Sequence, residues 1–556
     1  MAVDEICDQF VEDYAAADPV TATLFGIAGR DDHLTDYSPA GHELRGRIAR
    51  NALRAILAAE AVDDHERVAK AVFTERIGLE VQIHDAGLPL AALNVIESPV
   101  QSIRMVFDVM AVESAADWAL IAQRLAQVPA ALAGVRASLL VAAERGQGSA
   151  LRQVIKVAEQ ADTWAGSGAK VGFFTTFVAG AQDIDGAPLA ELRRGAQEAQ
   201  RAYADFAEFL RAELVPRAPA KDAVGEQTYR LWSRWFTGAD LDLRESYEWG
   251  WAEFARLEAQ MHAVAARIAP GASLTETAAI LDADPKYRVH GQDELRDWLQ
   301  KVSDEALAAL RDKHFEIPDE LMTLECTIAP PGGVVGAYYV GPSADFSRPA
   351  RMCWSVEPGK ADFATWREVS TVYHEGVPGH HLQIATAVRE ADSLNQYQRM
   401  MSFVSGHGEG WALYAERLMQ ELGYLSDDGD LFGMLAQQLF RAARVIVDIG
   451  MHLEWEIPAG TGFHEGERWT PDLGLEFLLT RTVTDARTAR DEIDRYLGWP
   501  GQAPAYKLGE RLWLAAREEA HQRAGQSFDM KRFHTRALRL GGMGLDTMRA
   551  QLAAMA

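Results

Sequence analysis

Along most of the chain, apolar residues recur at steps of three and four among Arg, Glu and Gln. Residues 43–88, 118–160, 189–214 and 247–268 each carry one apolar stripe, the pattern of helices that bury a single face. The third run is broken by PRAPAK at 216–221, and the fourth stops at Pro270-Gly271. The first of these breaks divides an N-terminal helical lobe, residues 1–220, from a second lobe, residues 221–556. Between 321 and 356 the texture changes. LMTLECTIAPPGG and VVGAYYVGPS hold β-branched and aromatic residues punctuated by Pro and Gly, which predicts short strands and a hairpin. Helical periodicity returns at Thr365 and lasts to the C-terminus, with loops near 458–470 and 499–504. The expected fold class is mainly α, with one small β element just before a cluster of histidines.

Composition narrows the partners. At 556 residues the chain exceeds the size at which a single core usually stops growing, in keeping with two lobes. Acidic residues number 81 against 55 basic ones, a formal charge of -26. That balance repels phosphate backbones and anionic lipid, so neither nucleic acid nor membrane is an expected partner. Cys7, Cys326 and Cys353 follow no metal-binding spacing, and their odd number fits a reducing compartment. The opening MAVDEICDQFVEDY is acidic where a signal peptide is basic and then apolar. No uninterrupted apolar run approaches the roughly 18 residues that span a bilayer; LLVAA, for example, is bracketed by Arg136 and Arg145. A cytoplasmic location is expected.

Chemistry concentrates in HEGVPGHH, from His374 to His381. A regular zinc-protease helix reads His-Glu-x-x-His, with both histidines on one face and the Glu activating the metal-bound water. Here Pro378 stands where the second histidine belongs, leaving His380 and His381 as candidates. On an ideal helix His381 lies above His374 but about 10.5 Å along the axis, while His380 points about 120° away. Pro378 cannot donate its helical hydrogen bond, and Gly376 and Gly379 permit unusual backbone angles. A two-residue bulge at 376–378 puts His380 in the ligand position. His374 and His380 are therefore the expected ligands. His381 is the runner-up, or a residue facing the ligands or the substrate.

A zinc hydrolase needs a third protein ligand and an open position. SFVSGHGEGWALYAERL places Glu409 between two glycines at the start of an aromatic-rich helix, with His407 competing for the same role. Glu416, two turns on, is placed to hydrogen-bond a ligand histidine. No Gly-x-Ser-x-Gly elbow or suitably placed Cys speaks for a serine or cysteine hydrolase.

HEGVPGHHLQ followed by GEGWALYAE resembles the bacterial domain-of-unknown-function family 885, grouped with the gluzincin metallopeptidases. ADPVTATLFG, YYVGPSADFSRPA, RVIVDIGMH and RYLGWPGQAPAYKLG fit that family's order over most of the chain. The resemblance implies a two-lobed helical fold with a central cleft, similar to angiotensin-converting enzyme and the thermostable carboxypeptidases. In those relatives the Glu ligand opens a later helix, to which Glu409-Gly410-Trp411-Ala412 is the counterpart. They also use a Tyr preceded by Arg to stabilise the oxyanion, which points to Arg495-Tyr496, with Tyr506 as the alternative.

Two further elements are candidate substrate supports. Tyr338 and Tyr339 lie in a segment suited to an edge strand that pairs with an extended peptide. Arg444, Asp448 and His452 repeat every four residues along one helix face, either as an ion-pair ladder or with Arg444 and His452 turned to substrate. Taken together, a zinc-dependent metallopeptidase of short peptides is expected. In this scheme Zn2+ is held by His374, His380 and Glu409, Glu375 is the general base, and Tyr496 serves the oxyanion. The alternatives are a zinc amidohydrolase of a small metabolite and an inactive metal-binding protein.

Overall fold

The computed structural model describes residues 2–168, 171–329, 336–343, 345–357, 359–391 and 393–554. It is mainly helical, and its helices form where the apolar stripes run. The stripe at 189–214 becomes the helix Leu189–Phe209, which buries Leu192, Ala196, Ala199, Tyr203 and Phe206 and ends through one wide turn before Pro216. These side chains join Phe107, Trp118, Val157 and Phe174 in one hydrophobic core. The Phe107 and Phe174 rings meet edge to face at 5.7 Å.

One helical stretch here, Ala115–Glu144, is long and apolar enough to cross a membrane by length and composition, although Asp117, Arg124 and Arg136 interrupt its apolar run. Half of it is buried. It turns between Ala115–Leu125 and Val128–Glu144, and Ile121, Leu125, Leu132, Val135 and Leu139 face the core. Its apolar residues line an interior.

The chain forms two compact units, Met1–Val224 with Asp494–Trp499, and Gly225–Ile493 with Pro500–Ala556. The return of 494–499 to the first unit departs from the division at 220. Its cause is a set of contacts far apart in sequence. The Asp494 carboxylate pairs with Arg152 at 3.2 Å and Lys156 at 3.3 Å, while Gln153 donates to the Asp494 carbonyl at 2.8 Å.

In the second unit the β residues form a three-stranded sheet. Leu324–Ala329 pairs parallel with Ala350–Ser355, whose other side pairs antiparallel with Ala337–Val340. Ala337–Val340 is thus an edge strand among the described residues, and the expected turn at 330–335 lies outside them. A second, two-stranded sheet joins Arg288–His290 to Asp362–Ala364. All three cysteines are buried thiols outside any disulfide.

After the sheets come the helices Glu368–Glu375, His380–Arg389, Ser405–Glu421, Asp428–Leu453 and Gln502–Ala524. Ser405–Glu421 and Gln502–Ala524 cross backbone to backbone. A Cβ on Gly410 would lie 2.5 Å from the Gly509 Cα, so only glycine fits at this crossing. Gly410→Ala should lower stability by about 1–3 kcal/mol, the usual cost of overpacking. Calorimetry should show the melting of the second unit shifted down, and an unshifted transition would contradict this packing.

Candidate metal centre

HEGVPGHH is not a bulged helix but two helices meeting at a break. The first histidine helix ends at Glu375, and the second begins at His380. Across the break the Gly379 N–H donates to the Tyr373 carbonyl at 3.0 Å, and the His381 N–H to the Gly376 carbonyl at 3.1 Å. A Cβ on Gly379 would sit 1.9 Å from the His374 carbonyl oxygen, so the chain turns this tightly only with glycine there. The fully buried Trp411 caps the break, its indole N–H donating to the Pro378 carbonyl at 2.8 Å.

This geometry turns His380 back toward His374. The two rings stand perpendicular with centroids 4.8 Å apart. Glu409 comes between them, its Oε2 3.2 Å from His374 Nε2 and 3.5 Å from His380 Nε2. One ligand atom from each of His374, His380 and Glu409 lies within 4.8 Å of the others, the one such group among the described residues. Glu416, on the same helix as Glu409, takes the other face of His374. Its Oε1 lies 2.8 Å from Nδ1, and its Oε2 accepts from the Ser370 hydroxyl at 2.7 Å. Exposure separates the two carboxylates: the Glu409 side chain is 18% exposed and that of Glu416 2%. Glu409 keeps some contact with solvent, while Glu416 is sealed behind the ring it hydrogen-bonds.

The electrostatics follow. Burial disfavours a charged imidazole at His374, but Glu409 and Glu416 outweigh it and push the pKa up to about 10. Burial likewise opposes ionisation of Glu409, and hydrogen bonds from the two imidazoles overcome it, holding the carboxyl well below its usual range. Burial raises the Glu375 pKa, partly offset by His380 and His374. Arg441, half-buried on the Asp428–Leu453 helix, acts electrostatically on Glu375, Glu409 and Glu416.

The other residues singled out from the sequence are not part of the His374, His380 and Glu409 group. His381 is buried with both nitrogens engaged, Nε2 to the Leu321 carbonyl at 2.8 Å and Nδ1 to the Tyr339 hydroxyl at 3.1 Å. The carbonyl fixes the proton on Nε2, so Tyr339 donates to Nδ1, and burial lowers the pKa to about 4. It is neither ligand nor substrate contact but a tie between helix and sheet. Tyr338 is half-buried on the edge strand. His407 faces Gln383 and the Trp513 indole, away from the cluster.

The Arg444-Asp448-His452 ladder is interior structure. Arg444 pairs with Glu492 at 3.1 Å, and Asp448 accepts from Tyr229 at 2.5 Å and from the Gly501 N–H at 3.0 Å. Asp448 and His452 are wholly buried, which removes the expected substrate role of His452. Arg495 lies over the ring of Tyr496, which is fully buried in the segment grouped with the first unit. Tyr506 is half-buried, under the Arg444 guanidinium at 4.8 Å. Ser370, Trp411 and Arg441 were missed. Ser370 had a signal, standing one helical turn before His374.

The family described as bacterial protein of unknown function (DUF885) matches residues 19–552. The chain belongs to it. No curated protein matches this DUF885 member. Its fold is shared by two solved structures. One is described as the putative lipoprotein from Colwellia psychrerythraea, 21% identical, with a TM-score of 0.85 over 100% of this chain and 98% of that one. The other is a putative lipoprotein of unknown function from Shewanella oneidensis, 16% identical, with a TM-score of 0.76 over 100% of both chains. Lipoproteins are held at membranes, and these descriptions overturn the cytoplasmic expectation. The physical basis of that expectation was weak as well, since buried thiols such as Cys7 and Cys326 are shielded in any compartment.

The paired carboxylates make a direct prediction. If the His374, His380 and Glu409 group takes up zinc, Glu416→Gln should weaken that uptake about 10–100-fold, as loss of a ligand-orienting carboxylate does. Competition against a chromogenic chelator measures this, and an affinity equal to the parent's would remove Glu416 from the site.

Proposed function

We propose that this DUF885 protein is a zinc-dependent hydrolase that cleaves peptide bonds in short peptides. The observation that carries the reading is the convergence of His374, His380 and Glu409 to within 4.8 Å, with Glu375 buried next to His374. Two imidazoles and one carboxylate are the donor set of a catalytic zinc, whereas calcium and magnesium favour all-oxygen sites. The donors also fit chemically. Glu409 meets both imidazoles through a single oxygen, so three electron-pair donors point at one volume. A kinship with the two-lobed gluzincin peptidases, with their central cleft, belongs to this same proposal.

Zinc, when bound there by His374, His380 and Glu409, supplies a Lewis acid and lowers the pKa of water toward neutrality. The chain's own residues do the rest. Glu416 accepts the Nδ1 proton of His374, which leaves the Nε2 lone pair for a cation. The Glu375 carboxylate, made more basic by burial, takes a proton from the attacking water and returns it to the leaving amine. The Ala337–Val340 edge offers backbone groups to an extended peptide. For the oxyanion, Tyr506 is the better donor of the two tyrosines. It is partly exposed, whereas Tyr496 is enclosed.

Glu375→Gln tests the reading. The variant should hold zinc like the parent and lose about 100-fold or more in kcat/KM on a mixed fluorogenic peptide panel, the scale of general-base catalysis. Hydrolysis at an undiminished rate would overturn the mechanism.

A further inference from the structure

Phe403 is 60% exposed, more than any other phenylalanine among the described residues. Single exposed apolar side chains are ordinary on a protein surface, but this one is exposed because its neighbours are anchored. Ser402 and Val404, on either side of it, are buried. The Ser402 hydroxyl is shared between the Gln398 and Gly542 carbonyls at 2.7 and 2.9 Å. The Val404 carbonyl accepts from the His407 and Gly408 N–H groups, both at 2.9 Å, and so opens the Ser405–Glu421 helix.

The ring held out in this way stands beside the histidine cluster. A Cβ on Gly408 would lie 2.5 Å from the Phe403 ring, so the ring rests on the Gly408 backbone and leaves no room for a side chain there. Gly408 immediately precedes Glu409, and consecutive Cα atoms are about 3.8 Å apart. A helix turns about 100° per residue, so Gly408 presents the flank between His407 and Glu409. Both of these reach the His380–Arg389 helix: His407 meets Gln383 at 3.2 Å, and Glu409 Oε2 lies 3.5 Å from His380 Nε2. The Phe403 ring therefore stands at the seam between the two helices that carry Glu409 and His380. Glu409 keeps contact with solvent, and Phe403 is a large apolar surface within one residue of it.

We propose, resting on the hydrolase reading above, that Phe403 is a specificity-determining residue. Its ring is the apolar wall on which the substrate side chain next to the scissile bond packs, and it selects peptides with an aromatic or large aliphatic residue there. An aromatic side chain gains both apolar burial and an offset or edge contact with the ring, and a small one gains neither. A charged side chain would lose water against the ring and find no partner on it. The residue that adjoins a scissile bond lies one Cα step from the reacting carbonyl, the same step that separates Gly408 from Glu409.

Quenched fluorescent peptides that differ only in the residue flanking the cleaved bond, Phe, Leu, Ala or Asp, test this with the full chain. The parent should cleave the Phe peptide with kcat/KM at least about tenfold above that of the Ala peptide, the scale of a hydrophobic pocket. Phe403→Ala should remove that preference and leave the Ala peptide within about twofold, whereas Phe403→Trp should keep it. Calorimetric binding of the same peptides to the Glu375→Gln chain should show the same order, and the order should vanish when Phe403→Ala is added. Melting curves matching the parent's show that each variant is folded. A loss shared equally by all peptides would give Phe403 a structural role only and overturn the proposal. So would a parent that cleaves peptides without preference, or a preference unmoved by Phe403→Ala; either result leaves the hydrolase reading standing. A chain that binds the peptides in the stated order and cleaves none would overturn the hydrolase reading and support the role of Phe403.

Discussion

His374 is held from both sides by a single helix. Glu409 meets its Nε2 and Glu416 its Nδ1, and the two carboxylates stand two turns apart on Ser405–Glu421. Two turns rise about 10.5 Å, a separation that an imidazole with a hydrogen bond at each end can bridge. Burying such groups singly is costly, and here each charge has a partner. The same helix sends Trp411 to the carbonyls of the break that aims His380. Glu409, Trp411 and Glu416 therefore stand on one helix, and Gly410 lets that helix sit directly on Gln502–Ala524.

The break between the histidine helices follows from the same constraint. Pro378 removes a helical donor, and the space at Gly379 excludes any side chain. The chain therefore restarts its helix at His380 and brings its ring perpendicular to that of His374. An unbroken helix would have aligned His381 instead. In the folded chain His381 is spent on the Leu321 carbonyl and the Tyr339 hydroxyl, tying the second histidine helix to the sheet that precedes the site.

The helices, the β element before the histidines, and the spatial grouping of His374, His380 and Glu409 could be read from spacing and residue type, because each depends on local pattern. What escaped the sequence depends on tertiary contact. Pro and Gly showed that the helix is disturbed at 376–379, but not whether it bulges or breaks, since that choice rests on Trp411, thirty-three residues on. The fourfold spacing of Arg444, Asp448 and His452 fits a surface ladder and an interior one equally. Tyr229 and Gly501, distant in sequence, make it interior. Tyr496 is fully buried in the segment whose Asp494 pairs with Arg152 and Lys156, contacts that no local signal announces. Compartment was misjudged because a buried cysteine carries no redox information.

The central claim is that His374, His380 and Glu409 form one zinc site. X-ray absorption spectroscopy of the zinc-loaded protein, alongside its His380→Ala and His381→Ala variants, tests it most directly. The account predicts one tightly held zinc per chain with two imidazole nitrogens in its shell, one of which is lost in His380→Ala and neither in His381→Ala. A shell that loses an imidazole in His381→Ala and keeps both in His380→Ala, or a chain that retains no zinc after dialysis, would contradict it.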